Sequence, residues 1–113
     1  MTILYQHLTR DEDIYITSSC GDILRFYGAV AQRDKLAEEC AEFAAARLKN
    51  RISPSPEAAD HEMDELADVI IMLEQRMQAL TPAQGRALAQ HVMVKIDRQL
   101  RRISKAKEAS NEQ

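Results

Sequence analysis

Tryptophan is absent from the 113-residue chain, and three tyrosines and two phenylalanines make up all of its aromatic content, 4%. Glycine and proline number three each. Sandwiches and barrels draw on aromatic and β-branched strands joined by turn residues, so this composition excludes them as an expectation and favours long, little-interrupted helices. Cys20 and Cys40 stand without CxxC spacing and read as two reduced thiols of a cytoplasmic protein. No apolar run approaches the roughly 18–20 residues of a membrane span. The segment from Met1 to Tyr5 lacks the basic stretch and apolar run of a secretory signal.

What is present is a soluble balance, 45% hydrophobic and 29% charged, with a formal net charge of -3. That charge is unevenly spread. Residues 1–33 carry net -1, residues 34–74 net -7 and residues 75–113 net +5. The length fits one domain with a modest core, which favours self-association as a way of burying more surface.

Capping signals and periodicity divide the chain. Residues 1–20 are the least regular: Arg10-Asp11-Glu12-Asp13 is polar and Ile14-Tyr15-Ile16-Thr17 has strand-like residue types, so an arm is expected there. Ser18-Ser19 offers cap oxygens for a first helix from about Gly21 to Gln32. A second is expected from about Asp34 to Arg51, with Leu36, Cys40, Ala44 and Leu48 on one stripe. Ser53-Pro54-Ser55-Pro56 ends it, and Ser55 with Pro56 starts a third, reaching Leu80. Thr81-Pro82-Ala83-Gln84 is a capping box for a fourth, ending near Ser104. Its stripe is Leu88, Val92, Ile96, Leu100 and Ile103, and the polar residues 105–113 form a fraying tail. The expected fold is all-α, a four-helix bundle over residues 21–104.

Two carboxylate patterns carry the chemistry. Glu38-Glu39-Cys40-Ala41-Glu42 is E-E-x-x-E, and Glu65-Leu66-Ala67-Asp68 is E-x-x-D. Residues three apart share nearly one helix face, so Glu39 with Glu42 and Glu65 with Asp68 can converge if their helices are antiparallel neighbours. Asp68 lies in a run apolar on almost every side, where an ionised carboxylate needs a partner or a metal. A solvated acidic face or a structural salt bridge is the plainer alternative. All-oxygen ligation suits magnesium, manganese or calcium, and magnesium commonly shares its sphere with substrate phosphates. His61-Glu62-Met63-Asp64-Glu65 lacks the second histidine of a zinc-protease helix, and no E-x-x-H is present for a di-iron bundle. His91, Lys95, Arg98 and Arg102 share one face of the fourth helix, either a solvated basic face or a phosphate clamp. The acidic balance and scarce aromatics argue against nucleic acid.

Phe26-Tyr27-Gly28-Ala29, Gln32, the segment Lys35 to Glu42 and the segment Asp64 to Glu74 together resemble the MazG-like all-α NTP pyrophosphohydrolases, in particular the small single-domain type of phages and bacteria. The resemblance spans about Phe26 to Ile103. It implies a helical core assembled as a homodimer or homotetramer, and cleavage of a nucleoside triphosphate to the monophosphate and pyrophosphate for house-cleaning or nucleotide-pool control. It implies Mg2+, or Mn2+ in its place, on Glu39, Glu42, Glu65 and Asp68. Glu38 and Glu39 are the implied catalytic carboxylates. Lys95, Arg98 and Arg102 would meet the phosphates, and Gln32 and Tyr27 the base or sugar. The alternative is a non-catalytic helical module that binds nucleotide or a protein partner.

Overall fold

A computed structural model describes residues 1–112, and these form four α-helices with no strand. Helix α1 spans Arg10–Tyr27, α2 Ala29–Ile52, α3 Pro56–Gln78 and α4 Pro82–Asn111. A single 3-10 turn, Tyr5–His7, precedes them. No helix among the described residues is long and apolar enough to cross a membrane. The chain groups into two compact units, Met1–Ala79 and a second from Leu80 onward.

The expected arm over residues 1–20 is largely helix. Thr9 and Glu12 form a complete capping box: Thr9 Oγ1 accepts from the Glu12 amide at 3.2 Å, and the Thr9 amide donates to Glu12 Oε1 at 2.8 Å. That box starts α1 eleven residues before Gly21 and overrides the strand-like types of Ile14 to Thr17. Asp13 then anchors the terminus, accepting from the Thr2 amide at 2.9 Å and the Thr2 hydroxyl at 2.7 Å. Gly28 separates α1 from α2 with a φ of 91°, in the region glycine enters at no steric cost. The expected first helix from Gly21 to Gln32 is therefore two helices meeting at Gly28.

Helices α2 and α3 form an antiparallel hairpin. Gln32 bonds Gln75, while Arg47 reaches Glu62 at 2.9 Å, so the partners run in opposite senses along the two helices. The Ser55 hydroxyl accepts from the Ala58 amide at 2.9 Å, and Pro56 occupies the first turn, as the Ser55-Pro56 signature predicts. Helix α1 lies against α3, where Gln78 Nε2 donates to the Thr17 carbonyl at 3.0 Å. The buried apolar core is small: Cys20 on α1, Ala46 on α2, Val69 and Met72 on α3.

In the second unit, Thr81 and Gln84 complete the expected capping box of α4. The helix runs on through Asn111, past the end expected near Ser104. None of its described residues is buried.

Candidate functional site

The α2–α3 hairpin brings three carboxylates together. Glu39, Glu42 and Glu65 each offer an oxygen within 4.8 Å of the others. Glu39 and Glu42 are one helical turn apart on α2, and Glu65 enters from α3, so E-E-x-x-E and the first half of E-x-x-D converge as their spacing predicts. Asp68 is not part of the group. It is half-buried, as are Leu66 and Ile70 near it, Val69 and Met72 are buried, and Met63 and Ile71 on the same helix are exposed. Helices α1 and α2 cover only part of the surface of α3, which leaves those positions open in this unit.

Burial within the trio is graded. Glu39 is 6% exposed, Glu65 half-buried and Glu42 exposed. Lys35 Nζ meets Glu39 Oε1 at 3.1 Å. His61 Nε2 lies 3.6 Å from Glu65 Oε1. The second oxygens, Glu39 Oε2 and Glu65 Oε2, are buried and have no hydrogen-bond partner. Repulsion from Glu39 above all pushes the Glu42 carboxyl above its ordinary range; partial desolvation and Glu65 add to this, and Lys35 opposes it. A cluster that raises a member's proton affinity has unspent affinity for a cation. Its donors are all carboxylate oxygens, a set suited to hard divalent ions.

Beside the trio is an open groove of about 470 Å³, lined by Tyr27, Gln32, Asp34, Lys35, Glu38 and Met72 among others. Three sequence-predicted residues thus share one wall system: Tyr27 at the end of α1, Gln32 and Glu38 on α2. Tyr27 is exposed and packs edge-on against Phe26, with ring centroids 4.8 Å apart. Gln32 is mostly buried, and its Nε2 donates to Gln75 Oε1 at 2.8 Å. Gln75 Nε2 in turn donates to the Ile71 carbonyl at 3.3 Å, which fixes the orientation of both amides. Glu38 is exposed and lies 3.5 Å from Lys35 Nζ.

Lys95, Arg98 and Arg102 are exposed on α4, in the second unit, and none pairs with a carboxylate among the described residues. Two residues at the site were not singled out from sequence. Lys35 was readable, since it stands three and four residues before Glu38 and Glu39 on one helix. Gln75 had no such signal: it is fully buried, and nothing in Glu74-Gln75-Arg76 distinguishes it from a surface glutamine. Compared with known proteins, the chain matches no family model, no curated protein and no solved structure.

Proposed function

We propose that this chain is a magnesium-dependent nucleoside triphosphate pyrophosphohydrolase of the MazG-like all-α type, acting in the cytoplasm as a homodimer or homotetramer. The observation that supports it most is the trio of Glu39, Glu42 and Glu65 with two buried, unpartnered oxygens. Buried carboxylate oxygens without partners are costly, and a divalent cation removes that cost. Glu39, Glu42 and Glu65 would hold the ion, and a bound magnesium supplies charge neutralisation and a more acidic water. The chain's own groups do the rest. Glu38, exposed at the groove, would take a proton from an attacking water. Tyr27 and Gln32 frame a space for the base or sugar. A phosphate-facing role for Lys95, Arg98 and Arg102 follows from the family resemblance and their chemistry. The small buried core and the exposed apolar residues support self-association.

The test is a screen of canonical and modified ribo- and deoxyribonucleoside triphosphates with Mg2+ or Mn2+, assayed for pyrophosphate. Metal-dependent release of pyrophosphate and monophosphate is expected for at least one substrate. Folded, metal-loaded protein that releases none from any of them refutes the reading. The position of Asp68 outside the trio favours a second reading, a module that binds nucleotide without turnover. Saturable nucleotide binding with no hydrolysis is its distinguishing result.

A further inference from the structure

One cation is already seated at the trio. Lys35 Nζ is 3.1 Å from Glu39 Oε1 and 3.5 Å from Glu38 Oε2. It is the only lysine or arginine paired with a member of the trio among the described residues. The two partners are unequal: the Lys35 side chain is 50% exposed and that of Glu39 only 8%. A flexible, half-solvated ammonium thus meets a fixed, buried carboxylate. Glu39 holds Lys35 with one oxygen, while its other oxygen is buried with no partner. The same lysine lines the groove with Tyr27, Gln32 and Glu38.

Because Lys35 is half exposed, its ammonium regains water on leaving Glu39, and the pair can be displaced when another cation takes its place on the buried carboxylate. A doubly charged ion among the carboxylates draws on the negative charge that holds the ammonium and repels it directly. We propose that Lys35 is an exchangeable counter-ion of the carboxylate trio: it and a divalent cation compete for Glu39, and cation binding releases the ammonium toward the groove, where it serves an anionic ligand of the phosphate class. The inference rests on the reading of the trio as a divalent-cation site, and adds a coupling to it. The cation and the anion then favour each other's binding through one side chain.

Calorimetric titration of Mg2+ and Mn2+ into the full chain tests the exchange in wild type, Lys35→Met and Lys35→Arg. Without the competing ammonium, Lys35→Met binds the divalent ion about three- to tenfold tighter, and Lys35→Arg, which keeps the pair, stays within about twofold of wild type. In wild type, NMR of the lysine side chains follows the Lys35 ammonium directly: its signal moves from a paired to a water-exchanging state as cation is added. Inorganic phosphate perturbs that signal only in the cation-loaded protein. Equal or weaker cation affinity in Lys35→Met overturns the exchange and leaves the cation site standing. So does a Lys35 signal indifferent to saturating cation. A phosphate response that is equal with and without cation overturns the coupling. Absence of divalent binding in every variant overturns the cation site and the exchange together.

Discussion

At the scale of single residues, the trio's cost and its use are the same quantity. Glu42 is pushed above the ordinary carboxylate range chiefly by Glu39, so the folded chain holds its proton more tightly than the unfolded chain does. Stability from this group therefore declines as pH rises through the carboxylate range, and the cation proposed here would offset that decline. Glu65 contributes to the same repulsion and has a buried oxygen without a partner. Glu65→Gln is expected to leave the cation-free protein as stable as wild type or more so, and to lose most of the stabilisation by magnesium. For wild type that stabilisation is about 2.7 kcal/mol at a free cation concentration of about 100 times Kd. Thermal melts in chelator and in excess Mg2+ measure both effects, and an undiminished magnesium shift in Glu65→Gln removes this residue from the ligand set. Helical spacing made the pairing of Glu39 with Glu42 legible, whereas the arrival of Glu65 rests on the antiparallel packing of α3 against α2, which the sequence offered only as a condition. Asp68, expected beside them, is half-buried and lies outside the trio; which side of α3 is covered depends on where α1 and α2 lie.

Among the elements, helix starts were legible wherever a capping residue stood beside a proline. Ser55-Pro56 and Thr81-Pro82 mark α3 and α4 to the residue. Thr9-x-x-Glu12 carries the same capping logic without the proline, and the strand-like types that follow obscured it. The break at Gly28 was hidden for another reason: no proline or capping residue stands beside it, and a positive φ leaves no periodic trace. The start of α1 has its own pH signature. Donation from the Thr2 amide, then from the Thr2 hydroxyl, holds Asp13 below the ordinary aspartate range, and the charged N-terminus adds to this. A carboxylate lowered by folding stabilises above its unfolded pKa of about 3.9 and loses that contribution as pH falls through the folded value. A carboxyl NMR titration of Asp13 is expected to give a midpoint below the ordinary value. Thr2→Val, which keeps only the amide donor, raises that midpoint part of the way. An identical midpoint in the variant rules out the hydroxyl's share.

On the scale of the whole molecule, little apolar surface is removed from water. Cys20, Ala46, Val69 and Met72 are the buried apolar residues, while Phe26 is 81%, Val30 72% and Met63 66% exposed. Along α4, Val92, Ile96, Leu100 and Ile103 are each about half exposed. Monomeric soluble proteins seldom leave apolar surface of this extent uncovered. Light scattering on the eluting protein is expected to give a dimer or tetramer mass at micromolar concentration, and Ile96→Glu with Leu100→Glu to shift it downward. A wild-type monomer at that concentration contradicts the assembly proposed. The all-helical class was legible from what the composition lacks. The grouping of residues 10–20 with the first unit was not, because it depends on contacts between α1 and α3. On the function proposed, Gly28 would also bear on selection by size. Tyr27 closes α1 and Gln32 lies in the first turn of α2, so two walls of the groove diverge from this one residue. The aperture is set by a backbone torsion as well as by side-chain bulk. A substitution at Gly28 would then change the size of ligand admitted without altering any side chain that lines the groove.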